Sequence, residues 1–261
     1  MANNLSKIVL VIEYEGINYG GFQYQINAPT VQNEIEKALL ELTAEKIRVV
    51  AASRTDTGVH AKGQVVSFRT GSVLPPEIFV RALNHYLAQD IAVKAAYRVN
   101  EKFSVRADAI SREYCYHILN SSIRSPLKRG HTYLVSGELN IEAMNEASRI
   151  LVGEHDFASF VTDINNSVIK STIRRVYKAQ VTKRGELVTF DMVANAFLPH
   201  QIRNTVGTLI RVGLNKMSLE EFRTIMEAKK PGLAGPTVPA MGLCLVQVTY
   251  PRLLGDYNED L

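Results

Sequence analysis

The sequence predicts a mixed α+β (α/β) protein made of two halves, each with strands and helices in alternation. Short apolar runs rich in β-branched residues, such as Ile8–Tyr14, are typical of buried strands. Between such runs, apolar residues recur with a helical period, as they do after Pro29-Thr30. The second half has a similar but looser order of elements, without a strict sequence repeat.

The first half is predicted to contain four strands and two helices. The predicted strands are Ile8–Tyr14, Ile47–Ala52, Gln64–Arg69 and Ile91–Val99. One helix opens at Pro29-Thr30 and has an apolar face of Val31, Ile35, Ala38, Leu39 and Leu42. The other starts at Pro75-Pro76 and has an apolar stripe of Ile78, Phe79, Ala82, Leu83 and Tyr86. The resulting order, β-α-β-β-α-β, is the split unit called ferredoxin-like.

The second half begins with a predicted strand of alternating character, Arg112–Leu119, in which Tyr114 and Cys115 point to opposite faces. Asn140 is predicted to cap a helix. A hairpin around Arg184-Gly185 is predicted to join two further strands. The remaining predicted elements are strands Thr172–Thr182 and Leu187–Val193, helices Leu198–Leu214 and Ser218–Ala228, and a last strand Leu243–Tyr250.

This order of elements predicts two ferredoxin-like halves, residues 1–106 and 107–261. Two such units can join their sheets side by side into one mainly antiparallel sheet, with a central cleft between the halves. The first half carries the polar loop before Gln64, which is the most informative stretch of the chain.

Composition and cysteine usage exclude several classes of protein. The chain has 261 residues, of which 46% are hydrophobic and 21% are charged, as in soluble proteins with a real core. No apolar run approaches the roughly 20 residues that a membrane span needs. The N-terminus lacks a secretion signal, so a cytoplasmic location is expected. Cys115 and Cys244 lie in separate apolar segments, which predicts buried packing residues and neither a disulfide framework nor a zinc site.

The basic residues are clustered, although the net charge is only +4. Between Asn165 and Arg184 the chain has no acidic residue and six basic ones: Lys170, Arg174, Arg175, Lys178, Lys183 and Arg184. A second cluster comprises Arg106, Arg112, Arg124, Lys128 and Arg129. Such clusters are typical of a surface that follows phosphate groups. A solvated basic face without a ligand explains the charges equally well.

The loop Ala52–Ala61 places Arg54, Asp56, Gly58 and His60 between two apolar strands. One interpretation is a functional loop in which Asp56 is a carboxylate nucleophile or base kept ionised by nearby cations. The other is an Asx-type turn in which Asp56 binds backbone N–H groups and Gly58 adopts a positive φ. The residues alone favour the turn.

The motif RTDTGVHA within this loop resembles the RTDAGVHA signature of the tRNA pseudouridine synthase A (TruA) family. Further matches follow in order along nearly the whole chain, and so many ordered matches are specific. They include Tyr14-Glu15-Gly16, Phe103-Ser104-Val105-Arg106, Arg112-Glu113-Tyr114-Cys115-Tyr116, Gly153-Glu154-His155-Asp156-Phe157, Phe197–Asn204 and Ala234–Leu243. Three residues depart from the family pattern: Phe22 stands where a tryptophan is expected, Tyr24 where a basic residue is frequent, and Thr57 where the signature has alanine.

The resemblance implies roles for five residues. Asp56 resembles the catalytic aspartate, and Arg54 the arginine that enters the RNA and holds the target nucleotide extruded. Tyr114 resembles the aromatic residue that stacks on the uracil, and Arg203 the arginine that pairs with the catalytic aspartate. Leu245, or Leu243, is implied as an apolar wall of the pocket. Without the resemblance, the arginines are ordinary surface and helix residues and the tyrosine belongs to a half-buried core.

The resemblance also implies the reaction and its partners. The expected activity is the isomerisation of uridine to pseudouridine in the anticodon stem-loop of tRNA, at positions 38–40, by a homodimer with a central RNA-binding cleft. The sequence contains no phosphate-binding Gly-rich loop, HExxH or paired CxxC motif, so no metal and no small-molecule cofactor are expected. The alternatives are a related synthase with other target uridines and a non-catalytic tRNA-binding or RNA-chaperone protein on the same scaffold.

Overall fold

The computed structural model describes residues 5–162 and 170–258 and contains both helices and strands. The strands are β1 (Ser6–Tyr14), β2 (Val50–Ala51), β3 (His60–Thr70), β4 (Ile91–Val99), β5 (Ser111–Asn120), β6 (Tyr133–Val135), β7 (Gly153–Asp156), β8 (Ile173–Arg184), β9 (Leu187–Ala194) and β10 (Leu243–Thr249). The α-helices are α1 (Val31–Thr43), α2 (Pro76–Tyr86), α3 (Ile141–Ile150), α4 (Gln201–Gly213) and α5 (Leu219–Ala228). Short 3-10 turns cover Ala158–Phe160, Ala240–Gly242 and Leu254–Asn258. The predicted mixture of helices with mainly antiparallel strands is confirmed.

The chain folds into two compact units. The first unit comprises residues 1–112 and 245–261, and the second comprises residues 113–244. These units differ from the predicted halves 1–106 and 107–261, because residues 107–112 and most of β10 belong to the first unit. Pairing between strands distant in sequence leaves no periodic signal in the chain, so the sequence could not assign this last strand.

The first unit has strands in the order β4-β1-β3-β10, with the short β2 paired to β3. Strand β1 is antiparallel to both β3 and β4, and Ile8 lies opposite Phe68. The ring of Phe68 packs against that of Phe79 on α2, with centroids 5.8 Å apart, which joins the sheet to the helical layer. Helix α1 begins after Thr30, whose hydroxyl oxygen accepts from the Asn33 N–H as an N-cap.

The predicted strand Ile47–Ala52 is much shorter in the structure, where β2 spans only Val50–Ala51. Side chains of α1 explain the difference. The Val49 N–H donates to Glu36 Oε1 at 3.0 Å, and the Val49 carbonyl accepts from Gln32 Nε2 at 3.2 Å. Both main-chain groups of Val49 are therefore bound by a helix instead of a neighbouring strand.

The second unit has strands in the order β5-β9-β8-β7, with β6 parallel to β5. The predicted hairpin is confirmed, since β8 and β9 are antiparallel and Gly185 turns between them with a φ of 59°. The predicted cap of α3 is confirmed as well, because Asn140 Oδ1 accepts from the Ala143 N–H at 3.0 Å. Helix α4 begins at Gln201, three residues after the predicted start, because His200 has a left-handed φ of 58°.

Helix length and the two cysteines are the remaining features of the fold. In residues 5–162 and 170–258, no helix is long and apolar enough to cross a membrane. Cys115 and Cys244 are both buried and not joined in a disulfide, as the sequence predicts for packing residues.

Candidate active site

Loop 52–59 of the first unit is anchored at its start by β3. The Ala52 N–H donates to the Val65 carbonyl at 2.8 Å. The fully buried Gln64 then binds Ser53 twice: its Nε2 donates to the Ser53 carbonyl at 2.7 Å, and its Oε1 accepts from the Ser53 N–H at 3.3 Å. A buried side chain that binds both main-chain groups of one residue fixes the backbone direction there.

The middle of the loop is held by Thr55, which is only 7% exposed. Its hydroxyl shares a hydrogen bond of 2.7 Å with the Tyr14 hydroxyl at the end of β1. Its carbonyl accepts from the Phe22 N–H at 3.1 Å. The residues on either side of Thr55 behave differently, because Arg54 is exposed and Asp56 is half-buried. The backbone of the loop is therefore fixed at Thr55, and the two charged side chains extend from the positions on either side of it.

A turn closes the loop after Asp56. The Val59 N–H donates to the Asp56 main-chain carbonyl at 3.1 Å, and Gly58 has a φ of 80°. The positive φ predicted for Gly58 is confirmed, and the turn forms through the main chain of Asp56. The Asx-type turn, in which the Asp56 side chain binds backbone N–H groups, stays a prediction.

Two glycines let neighbouring backbone pack closely on this loop. A Cβ atom added to Gly16 would lie 2.0 Å from the Val59 carbonyl oxygen. A Cβ atom added to Gly21, which has a φ of +95°, would lie 2.7 Å from the Thr55 carbonyl oxygen. His60 completes the contact, since its Nδ1 accepts from the Gly16 N–H at 3.2 Å and its side chain is buried. His60 therefore has a structural role in holding the loop.

Leu245 also belongs to the first unit, where it is fully buried in β10. The backbones of β3 and β10 approach closely at this level, because a Cβ atom added to Gly63 would lie 2.5 Å from the Val246 carbonyl oxygen. Leu245 is therefore packed inside the first unit, and its role as an apolar wall of the pocket stays a prediction.

Tyr114 lies in the second unit on β5 and is 4% exposed. Its ring packs edge-to-face on Phe197, with centroids 5.2 Å apart and an interplanar angle of 84°. Edge-to-face packing is a preferred geometry for aromatic pairs and contributes to the orientation of the Tyr114 ring. The family resemblance implies Tyr114 as a site residue, but the sequence contains no local signal for its contact with Phe197.

Arg203 also lies in the second unit, in the first turn of α4, and its Nε donates to the Val238 carbonyl at 2.8 Å. The segment that supplies this carbonyl is tied to the same helix. The Gly235 N–H donates to Thr208 Oγ1 at 2.9 Å, and the Thr237 hydroxyl donates to Asn204 Oδ1. The guanidinium of Arg203 is therefore oriented by the segment 235–238, and α4, which carries Arg203, also binds that segment.

Tyr116, two residues after Tyr114, has a structural role that sequence reasoning missed. It is fully buried, and its hydroxyl donates to the Pro239 carbonyl at 2.7 Å. Burial raises the pKa of the Tyr116 hydroxyl far above its ordinary value, while the positive charge of Arg203 acts in the opposite direction. Tyr116 therefore stays neutral and anchors the segment that orients Arg203.

We predict that Tyr116→Phe lowers the free energy of unfolding by about 0.5–1.5 kcal/mol, because the half-buried Pro239 carbonyl loses its donor. Urea denaturation followed by circular dichroism measures this change. Tyr177→Phe is the matched control: Tyr177 is 51% exposed in the same unit, and its change should stay within about 0.5 kcal/mol. Equal stability of the two variants would contradict the anchoring role of Tyr116.

The basic clusters divide into exposed and structural members. Arg112 is 6% exposed, and its guanidinium donates to the carbonyls of Ala52, Arg106 and Ala109 within the first unit. Arg174 is half-buried and donates to the carbonyls of Ser171 and Ile173. The exposed members are Arg106, Arg124, Lys128, Arg129, Lys170, Arg175, Lys178, Lys183 and Arg184. Only the exposed members retain the character of a phosphate-binding surface.

The predicted site residues fall into two groups. Arg54, Asp56 and Leu245 lie in the first unit, and Tyr114 and Arg203 lie in the second. Among residues 5–162 and 170–258, no three His, Cys, Asp or Glu side chains are grouped as a metal site would require.

Comparison with known proteins identifies the family. The sequence model of the family described as tRNA pseudouridine synthase matches residues 10–108 and 147–251. Proteins named tRNA pseudouridine synthase A from Acetivibrio thermocellus and Clostridium acetobutylicum are each 41% identical over 94% of this chain and 100% of their own length. The protein of that name from Francisella tularensis subsp. novicida is 42% identical over 95% of both chains. The chain belongs to the tRNA pseudouridine synthase A (TruA) family.

The segments of this TruA family member that match the family model contain four of the five predicted site residues. Arg54 and Asp56 lie in the first matched segment, and Arg203 and Leu245 lie in the second. Tyr114 lies between the two segments, in the part that the full-length relatives cover.

Proposed function

We propose that this TruA family member is an isomerase that converts uridine to pseudouridine within transfer RNA. The name shared by its relatives supports the substrate and the product. The observation that carries the proposal is the geometry of loop 52–59. Its backbone is held by β1, β3 and the segment around Phe22, while Arg54 is exposed and Asp56 is half-buried.

Asp56 is proposed as the catalytic residue. Its carboxylate either attacks C1′ of the target uridine or removes a proton from C2′, and the bond between C1′ and N1 breaks with the uracil leaving as an anion. The uracil then rotates and C5 forms a bond to C1′. In that step the bond between Asp56 and C1′ breaks in the first route, and in the second route the proton held by Asp56 returns to C2′. The proton of C5 is released and N1 ends protonated, so the product has the same atoms as the substrate. A fixed loop backbone suits this chemistry, because the carboxylate must stay aimed at the ribose while the base is detached.

Arg54 is proposed to hold the target nucleotide outside the RNA stack. Extruding a base costs a few kcal/mol, and a guanidinium group offsets this cost by stacking on bases and by binding phosphates. The exposure of Arg54, two residues before the half-buried Asp56, supports this role. The remaining predicted site residues, Tyr114, Arg203 and Leu245, are proposed to bind the substrate.

The proposal also covers the target positions, the oligomeric state, the location and the arrangement of each unit. We infer that the target uridines lie at positions 38–40 of the anticodon stem-loop, that the enzyme is a cytoplasmic homodimer, and that each unit is a variant of the ferredoxin-like arrangement. The order β1-α1-β2-β3-α2-β4 in the first unit supports the last point. The central RNA-binding cleft stays a prediction from the family resemblance.

The test of the proposed function is pseudouridine formation in an unmodified tRNA transcript with uridines at positions 38–40. We expect the purified protein to release tritium from C5-labelled uridine, and mapping of the product should place pseudouridine at those positions. A transcript with cytidine at positions 38–40 is the control and should release almost none. Modification of other uridines would instead assign a related synthase, and binding without tritium release would assign a non-catalytic tRNA-binding protein.

A further inference from the structure

Two cavities on the first unit share one wall and have a basic lining. The loop cavity, of about 230 Å³, is lined by Arg54, Arg106 and Arg48. The edge cavity, of about 410 Å³, is lined by Lys7, Lys46, Arg69 and again Arg48. Val50 also lines both cavities, so the two are neighbours that meet at Arg48 and Val50. The basic lining therefore continues from Arg54, in the loop that carries Asp56, to Lys7, Lys46 and Arg69.

Arg48 is held in place at the junction. Its guanidinium carbon lies 5.0 Å from the centroid of the Tyr24 ring, which is a cation–π distance. One guanidinium nitrogen lies 3.1 Å from Glu36 Oε2. The other oxygen of Glu36 accepts from the Val49 N–H and from Gln32 Nε2. Glu36 is thus shared among several donors. The Arg48 side chain is 64% exposed, and the ring and the carboxylate favour the orientation in which its guanidinium group lies at the junction.

The balance of charge in the two cavities favours an anionic ligand. Six basic side chains line them, and the nearby carboxylates are Glu36, Glu101 and Asp108. The pKa of Lys7 is lowered by burial and by the positive charge of Arg69, so these two cations of the edge cavity repel each other. Glu101 relieves part of this repulsion, since it lies 2.7 Å from Arg69. That ion pair is half exposed and contributes little free energy, so a phosphate can compete with it.

We propose that the loop cavity and the edge cavity form one binding track for the phosphates of an RNA backbone, with Arg48 at its centre. The inference rests on the proposed function, because a substrate whose target nucleotide reaches Asp56 continues in both directions along its backbone. The track binds the nucleotides beside the target, and arginine-rich cavities suit phosphates because guanidinium groups match their geometry. Phosphate contacts of this kind set position and affinity without reading bases.

The test compares the salt dependence of tRNA binding among single-charge variants. Arg48→Gln and Lys46→Gln each remove one cation from the track, and both side chains are exposed. We expect each to reduce the slope of log K against log salt by about 1 and to weaken binding of an unmodified tRNA transcript by about tenfold near 0.1 M salt. Arg48→Lys keeps the positive charge, so its slope of log K against log salt should stay close to that of the wild type.

Arg81→Gln is the matched control, because Arg81 is an exposed arginine on α2 of the same unit and lines neither cavity. It should leave the slope unchanged. Thermal unfolding shows whether Arg48→Gln is folded; if it is not, Lys46→Gln decides the outcome.

Wild-type tritium release, measured in parallel, separates this inference from the proposed function. The track is overturned if the wild type is active but Arg48→Gln and Lys46→Gln bind tRNA with the same salt dependence as Arg81→Gln. The proposed function then still stands. A reduced slope in the track variants, together with an inactive wild type, supports the track and overturns the function.

Discussion

Asp56→Asn should abolish pseudouridine formation while tRNA affinity stays within about tenfold of the wild type, or roughly 1.4 kcal/mol. The amide has the shape of the carboxylate but is a poor nucleophile and a poor base. Binding is expected to persist because Asp56 acts on a nucleotide that is already extruded. It can even tighten slightly, since a carboxylate repels the RNA backbone. Tritium release from C5-labelled uridine in a full-length tRNA measures activity, and filter binding measures affinity.

Thr57→Ala is the control for this experiment. Thr57 is the exposed neighbour of Asp56 in the same loop, and the family signature has alanine at its position. Truncation of the Thr57 side chain should leave the rate of tritium release within about threefold of the wild type, because a solvated surface side chain contributes little to stability. Substantial turnover by folded Asp56→Asn protein would overturn the catalytic assignment.

Gly16→Ala should lower the rate of pseudouridine formation about 100-fold and reduce the free energy of unfolding by about 1–3 kcal/mol. The added Cβ atom would lie 2.0 Å from the Val59 carbonyl oxygen, so the loop that carries Asp56 must move. The atom that the added Cβ would meet belongs to the backbone and not to the end of a flexible side chain. A rotation of a side chain therefore cannot relieve the clash. A displacement near 1 Å is enough to misplace a catalytic carboxylate. Initial rates and urea denaturation measure the two effects.

Gly71→Ala is the matched control in the same unit, since a Cβ atom there would first meet Glu45 Oε1 at 3.6 Å, an ordinary contact. Its activity and stability should equal those of the wild type. If Gly16→Ala behaved in the same way, the close contact between Gly16 and Val59 would not position the loop.

The sequence by itself determined the elements whose signals are local. Helix α1 follows the apolar face that begins at Val31, and Asn140 caps α3 as its type and position predict. The hairpin at Gly185 forms where the turn residues indicate. The RTDTGVHA motif identified the family and the loop that carries Asp56, because a motif is a contiguous pattern that needs no knowledge of the fold.

Only the tertiary structure decided the contacts between segments distant in sequence. It assigned β10 to the first unit, shortened β2 because Gln32 and Glu36 bind the backbone of Val49, and placed Val59 against Gly16. It also separated the roles of Tyr114 and Tyr116, which share one predicted face of a strand. Periodicity reports which face of an element is apolar, but it does not name the partner that covers that face. The partner of each apolar face is determined by packing between segments distant in sequence. That packing therefore also determines which polar side chains orient the site residues and which stabilise the fold.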